Sequence, residues 1–472
     1  MEEDRRSHAI ALLSSPGLGH LIPLAELARR LAQDHHFTVT LITQSVGPIS
    51  DVEQNLIDSI PKDINVVPLS PPSPSSISDG LELGPLIFLT INHNIPRVRA
   101  ILQSLATSSV SPLAAVVVDL FCVGAFSIAE EIGVPPYMLY TSPCMMLSFC
   151  LYLPTIDAMY QAEYKDLTEP LCLPGCVPLH GRDFPDPLHH GRDSEPYKGI
   201  LWLVSQFPRA KGILVNTFQE LEPGVIKALK DDATVPAIYP VGPLIRSCTP
   251  GPTNGGDCLA WLDKQNRGSV LFVSFGSGGT LSGKQLNEVA WGLEMSGHPF
   301  LWVVKSPNDH DAAGTFFTVQ SKTDPLAFLP QGFLERTKDS ALTVPSWAPQ
   351  IEILSHESTG GFLTHCGWNS ALESMVNGVP LIVWPLYAEQ RTNTVLLADD
   401  VKVALRPRAD ENGLVTKEEV SRVIKCLMEG VEGKRLRAKM ATVSNQSSHA
   451  TSTTGSSSES LCEIVLEWKN NK

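Results

Sequence analysis

What this 472-residue chain has little of narrows its class before any motif is read. Charged residues make up only 18% and aromatic residues 7%, and the charge is lopsided, with 36 Lys and Arg against 50 Asp and Glu for a net −14. Such a surface repels phosphate backbones and anionic lipid, which excludes nucleic acid and membrane surfaces as principal partners. Cysteine is sparse, ten in all. Cys172 and Cys176 stand four apart, but no second pair with ligand spacing accompanies them, so reduced thiols in a cytoplasmic protein are expected and a metal site is not. The segment MEEDRRSHAI has no apolar leader core; it is acidic, then basic, and runs straight into a strand. One uncharged run, Val134 to Ile156, is long enough to cross a bilayer, but Pro135, Pro136, Pro143 and Pro154 interrupt it. It reads as a buried strand leading into an apolar helix, and no membrane insertion is expected.

Two nucleotide fingerprints are incomplete. Gly17-x-Gly19 lacks the third glycine of a dinucleotide loop, with Ile22 in its place, and the second strand ends in Thr43-Gln44 where an acid is required. That counts against a nicotinamide-dependent oxidoreductase. Gly276-Ser277-Gly278-Gly279 is not followed by the Lys and Ser/Thr of a Walker loop, although its N–H groups suit a compact phosphate nest.

What is present is a repeated alternation of strand and helix. Apolar runs at Ile10–Ser15, Phe37–Ile42, Ile64–Leu69, Leu113–Val118, Tyr137–Tyr140, Gly212–Val215 and Ala237–Val241 read as strands of one parallel sheet. Leu24, Leu27 and Leu31 mark a helix face after the first. The pattern restarts at Val270–Phe275, Phe300–Val304, Ala341–Val344, Gly361–Thr364 and Leu381–Trp384. Between the halves, Ser247–Asp257 has linker composition. The fold class expected is α/β, with two Rossmann-like, doubly wound parallel-sheet domains. The expected bounds are 1–246 for the first domain, 247–256 for the linker and 257–450 for the second. A C-terminal helix in 451–472 is expected to pack back on the first domain. Ser306–Ala327, polar and aperiodic, reads as a loop.

Ligands bind beyond the carboxyl ends of strands in such sheets. His20, Asp119 and Thr141 follow strands of the first half; Ser277, His365 and the Tyr387–Gln390 turn follow strands of the second. Trp347 to Gln390 is the most informative stretch. In it a turn, His365-Cys366-Gly367, meets a helix that Asn369-Ser370 can cap, which offers free N–H groups and a positive dipole end to a phosphate. Trp347 offers a face for a base; Glu373, Glu389 and Gln390 can hydrogen-bond sugar hydroxyls. Ser370-x-x-Glu373 also spells a capping box, which would turn the carboxylate onto the helix terminus instead.

From W-A-P-Q through H-C-G-W-N-S-x-x-E to the closing E-Q, this stretch resembles the signature box of plant family 1 UDP-dependent glycosyltransferases. The family's last pair is often Asp-Gln, so Glu389 departs mildly. The likeness extends from about Ile10 to Trp468. Through GHLIPL, VVDLF, SFGSGG, LWVVKSPND, FLPQGFLERTK and WPLYAEQ it is nearest the branch that glucosylates hydroquinone and other small phenols. The resemblance implies the GT-B architecture, two Rossmann-like domains facing across a cleft, and an inverting, metal-independent transfer of glucose from UDP-glucose to a small aromatic hydroxyl, with no cofactor and a monomeric enzyme. It implies His20 as general base with Asp119 as its partner. Donor contacts are implied for Gly19, Thr141, Ser277, Trp347, Ala348, Gln350, His365, Gly367, Trp368, Asn369, Ser370, Glu373, Tyr387, Glu389 and Gln390.

Phe121, Met145, Met146 and Phe149 are candidate acceptor-pocket wall residues, with core packing the default reading for all four. Cys122-Val123-Gly124 stands where that branch has Gly-Thr-Asp, a less polar wall that leaves monolignols, phenolic aldehydes or indoxyl-like hydroxyls open as acceptors. Another UDP-hexose and a larger flavonoid acceptor are the alternatives. Asp309-His310-Asp311 spells the D-x-D of metal-dependent transferases of another fold, but it lies in the polar loop, away from a strand end, and no metal is assigned to it.

Overall fold

The computed structural model describes residues 8–73, 83–109, 111–246, 256–309 and 324–470. They form two compact units: the chain up to Arg182 with Pro187–Arg246 and the segment from His449, and Ser247–Ser448 with Asp183–Asp186. Most of the expected linker, 247–255, lies outside the described residues.

The first unit is built on a seven-stranded sheet of β1 (Ala9–Leu13), β2 (Thr38–Gln44), β3 (Asn65–Leu69), β4 (Leu113–Asp119), β5 (Pro136–Tyr140), β6 (Gly212–Val215) and β7 (Ala237–Pro240). Every neighbouring pair is parallel, in the order β3-β2-β1-β4-β5-β6-β7. β1 and β4 are buried at every residue, as unbroken apolar runs must be when both faces are covered. The Leu18–Gln33 helix turns Leu21, Leu24, Leu27, Ala28 and Leu31 onto that sheet.

The Ser456–Asn470 helix adds Leu461, Ile464, Val465 and Trp468 to the same core. Trp468 is wholly buried and meets Phe37 and Tyr137 edge to face at 6.1 and 5.3 Å. Glu467 beside it accepts the hydroxyls of Tyr137 and Tyr239 at 3.0 and 3.2 Å. The uncharged 134–156 run divides into β5 and the Cys144–Met159 helix. Among the described residues no helix is long and apolar enough to cross a membrane.

The second unit repeats the plan with six strands: β8 (Val270–Ser274), β9 (Phe300–Val304), β10 (Ala341–Pro345), β11 (Thr359–Thr364), β12 (Leu381–Val383) and β13 (Ala404–Leu405), ordered β10-β9-β8-β11-β12-β13 and parallel throughout. β13 has too few residues to show a period, which is why its sequence gives no strand signal. At the end of the expected 306–327 loop, Pro325–Phe328 form a 3₁₀ turn capped by Asp324. In each sheet the strand order reverses once, between β1 and β4 and between β8 and β11. Helices leave to opposite faces at such a point, which opens a crevice at the strand ends.

Replacing Trp468 by alanine is expected to cost about 3–5 kcal/mol, because it empties a fully buried indole site. Urea denaturation would measure it, and a loss below about 1 kcal/mol would show that the helix adds little to this core.

Candidate active site

In the first unit the reversal point gathers His20 and Asp119, ninety-nine residues apart in the chain. β1 pairs with β4 so that Leu13 lies beside Val118. After β1 the chain turns through Gly17, whose φ of 108° favours glycine, and enters the Leu18–Gln33 helix with His20 in its first turn. Asp119 ends β4. His20 Nδ1 lies 2.8 Å from Asp119 Oδ2. The other oxygen, Oδ1, accepts the Phe121 N–H at 3.1 Å and caps the 3₁₀ turn over Leu120–Ala125. The strand-end aspartate is therefore both a helix cap and a histidine partner.

A carboxylate only accepts hydrogen bonds, so it holds the proton on Nδ1 and leaves the lone pair of the neutral ring on Nε2. Asp119 is fully buried, whereas the His20 side chain is 16% exposed. The Thr141 hydroxyl, just past β5, is 3.4 Å from the same Nδ1. A Cβ added at neighbouring Gly19 would meet nothing within 4 Å. This arrangement can accept a proton and stabilise the resulting imidazolium.

Beside it, Phe121 packs edge-on to His20 at 5.2 Å and lines a cavity of about 290 Å³. The Leu83–Ala106 helix contributes Phe88, Ile91, Asn92 and Ile95 to the lining; the Glu195–Ser205 helix contributes Gly199 and Trp202; Gly124 completes it. Phe88 links Phe121 and Trp202 edge to face at 6.0 and 6.4 Å. Of the four expected wall residues only Phe121 lines this cavity. Met145, Met146 and Phe149 are buried in the core, on a helix whose first N–H groups, at Cys144 and Met145, donate to the buried Glu222 carboxylate at 2.9 and 2.8 Å. An apolar helix without periodic polarity cannot reveal which of its faces meets a cavity. Of Cys122-Val123-Gly124, only Gly124 reaches the lining.

In the second unit the reversal point joins the Gly276–Gly279 turn after β8 to His365 after β11. The imidazole is clasped between two glycines. A Cβ at Gly276, whose φ is +75°, would fall 2.3 Å from His365 Cε1, and one at Gly367 would fall 2.5 Å from Nε2. Burial, reinforced by the nearby Lys305 charge, pushes His365 down to about 3, so the ring is neutral and keeps one N–H to donate. Its Nδ1 is buried and has no hydrogen-bond partner among the described residues, an arrangement that calls for a ligand or a water.

The helix after this turn spans Trp368–Val376, with Gly367 in the cap position and no side-chain cap. This corrects the expectation that Asn369-Ser370 cap it. The helix starts earlier than its polar residues suggest, so the Ser370-x-x-Glu373 capping box does not form. Glu373 Oε2 instead accepts Gln350 Nε2 at 2.6 Å, and the same amide reaches Ser370 Oγ at 2.9 Å. Trp347, past the end of β10, is 39% exposed and so is not a core residue, while Ala348 and Trp368 are buried. Gln390 Oε1 accepts the N–H groups of Leu386 and Tyr387 at 2.8 and 3.0 Å, which pins the loop and leaves the amide NH₂ as the donating end. Glu389 accepts Asn393 Nδ2 at 3.2 Å. The Tyr387 ring lies 6.5 Å from His365.

Ser346, Cys366 and Ala388 all take left-handed backbone, with φ of 65°, 67° and 55°. Each sits in a loop that carries expected donor residues, and strain of this kind gathers where a loop must aim side chains. One candidate escaped the sequence reading. Lys305 directly follows β9, donates to the Ser277 carbonyl oxygen, and is lowered by burial to about 7. Its signal was position alone, a charge directly after an apolar strand. Asp309 of the D-x-D is engaged by the Gly283 N–H at 2.8 Å, and Asp311 lies outside the described residues.

Residues 247–435 match the family model described as UDP-glucoronosyl and UDP-glucosyl transferase. With two Rossmann-like sheets and this donor box, the chain belongs to the plant family 1 UDP-dependent glycosyltransferases, enzymes of GT-B fold. It is 50% identical over 462 residues to a hydroquinone glucosyltransferase of Rauvolfia serpentina, covering 98% of each chain. The structure of Phytolacca americana UGT2 complexed with UDP-2-fluoro-glucose and pterostilbene is 48% identical, with a TM-score of 0.89 over 98% of this chain and 99% of that one. A UDP-glucosyltransferase from Polygonum tinctorium capable of glucosylating indoxyl, in complex with 3,4-dichloroaniline, is 42% identical, with a TM-score of 0.90 over 98% and 99%.

Gly276→Ala is expected to lower stability by roughly 1–3 kcal/mol, through its left-handed φ and the clash with His365. Gly124→Ala, whose methyl meets nothing within 4 Å, is expected to stay within about 0.5 kcal/mol of the parent. Thermal denaturation compares the two, and equal effects would contradict this account of the His365 clasp.

Proposed function

We propose that this enzyme is an inverting O-glucosyltransferase that moves glucose from UDP-glucose to the hydroxyl of a small aromatic acceptor. The observation that carries the reading is the 2.8 Å His20–Asp119 pair at a strand-order reversal. A phenol loses its proton near pH 10, so at neutral pH a base must take it as attack proceeds, and imidazole suits that task. His20 Nε2 accepts the acceptor proton, and the oxygen attacks C1 of the α-linked donor. The bond from C1 to the UDP oxygen breaks with its electron pair on UDP, and a β-glucoside results. Asp119 steadies the imidazolium, as the buried aspartate does in serine-protease triads.

The C-terminal unit holds the donor. Trp347 stacks on uracil, and Ala348 packs beside it. Glu373, aligned by Gln350, binds the ribose hydroxyls. His365, the N–H groups of Asn369 and Ser370 and the Ser277 turn receive the diphosphate and stabilise it as it departs. Gly367 gives the His365 ring its room. Trp368, Tyr387, Glu389 and Gln390 serve the sugar, with Gly19 and Thr141 contributing from the N-terminal unit. On this scheme the donor's charge is met without metal.

The acceptor ring meets Phe121. The mainly apolar cavity continuing past Phe88 to Trp202 favours a second reading in which the acceptor carries more than one ring. We further read the enzyme as a cytoplasmic monomer.

The test is purified protein with UDP-glucose, hydroquinone and EDTA, followed by mass spectrometry and UDP release. A hexosylated phenol is expected, and activity restored only by manganese would overturn the mechanism. His20→Ala is expected to lower kcat on the order of 10²–10⁴-fold. Asp119→Asn can still cap the Phe121 N–H while losing the charge beside His20. It is expected to lower kcat with little change in melting temperature, whereas a purely structural Asp119 would show the reverse.

A further inference from the structure

Between Trp347 and Gln390 the donor box holds four glutamates, Glu352, Glu357, Glu373 and Glu389, and neither lysine nor arginine. A nucleoside-diphosphate sugar brings two more negative charges. His365 is neutral, so the box itself offers no side-chain cation against them, only helix N-termini and single N–H donors. Arg391, next in the chain, pairs with Asp186. Lys305, which follows β9 outside the box, has no carboxylate partner among the described residues.

From this arrangement we infer that Lys305 is the charge-compensating residue of the diphosphate site, taking up a proton from solvent as the donor binds and holding the Ser277 turn in place. The inference rests on the donor reading of the C-terminal unit.

Three observations carry it. Lys305 directly follows β9, the strand beside β8, whose following turn carries Ser277, and its ammonium donates to the Ser277 carbonyl oxygen. It lies close enough to His365, after β11, for its charge to act on that ring. No carboxylate pairs with it among the described residues; Asp309, four residues on, is engaged by the Gly283 N–H. Among the described residues His365 is the titratable group on which its charge acts, and the Gly276–Gly279 turn presents backbone and the Ser277 hydroxyl. Burial lowers Lys305 to about 7, so much of it is neutral without a donor at slightly alkaline pH. A diphosphate beside it favours the charged form and raises that value. Binding then consumes a proton, and the affinity for donor falls as pH rises above 7.

The probe is UDP-glucose without acceptor, because its phosphates are diesters that do not titrate near neutrality. Calorimetry at pH 8 in two buffers of different ionisation enthalpy reads the proton count. The parent is expected to take up roughly 0.5–1 proton per donor, with affinity falling several-fold, up to about tenfold per unit, between pH 7.5 and 9. Lys305→Arg, charged throughout, is expected to bind with no uptake and a flat pH profile. Lys305→Met is expected to bind more weakly at pH 7, also with no uptake.

Parent binding without uptake, or uptake retained in Lys305→Met, would overturn the inference while leaving the donor reading intact. A folded parent protein that does not bind UDP-glucose at all would overturn both.

Discussion

The chemistry of this enzyme hangs on a constraint of parallel sheets, the place where strand order reverses. In one unit the reversal lies between β1 and β4 and sets His20 against Asp119; in the other it lies between β8 and β11 and sets the Gly276–Gly279 turn against His365. Neighbouring parallel strands all point their carboxyl ends the same way, and helices departing to opposite faces leave those ends uncovered only at the reversal. Residues far apart in the chain become partners because the strands that deliver them are hydrogen-bonded neighbours.

Each unit spends that opening differently. In the first it holds a buried anion against a part-exposed imidazole, which fixes the ring's tautomer. In the second, two glycines hold an imidazole so deeply that it stays neutral, and the proposed diphosphate site relies on N–H groups and the Lys305 amine. Two histidines of identical intrinsic basicity thus receive opposite tasks from burial and neighbouring charge. The strained residues Ser346, Cys366 and Ala388 lie in the loops of the second unit because those loops must aim side chains rather than minimise their own energy.

The proposed acceptor side is lined by aromatic edges. Phe121 packs against His20 and lines the cavity, so the candidate base and the apolar wall share one residue, and Phe88 and Trp202 extend the wall outward. Gly124 leaves room in the lining where the related branch carries an aspartate, and Cys122 and Val123 face the core instead.

Much of this was legible without coordinates. Unbroken apolar runs declare strands buried on both faces, so the two α/β halves and the strand ends that carry His20, Asp119, Ser277 and His365 followed from local chemistry, while the donor roles of the Trp347–Gln390 stretch came from its resemblance to the family's signature box. Tertiary structure decided what local patterns leave ambiguous. Ser370-x-x-Glu373 fits a capping box equally well on paper, but the helix begins at Trp368, so Glu373 is released to Gln350. Met145, Met146 and Phe149 have the composition of a pocket wall and the burial of a core, because an apolar helix carries no mark of which face a cavity meets. Lys305 reads as one more surface lysine until β9 is seen beside β8. Sequence specifies which residue types stand at strand ends; only the packing of strands decides which ends are neighbours, and so which charges must answer one another.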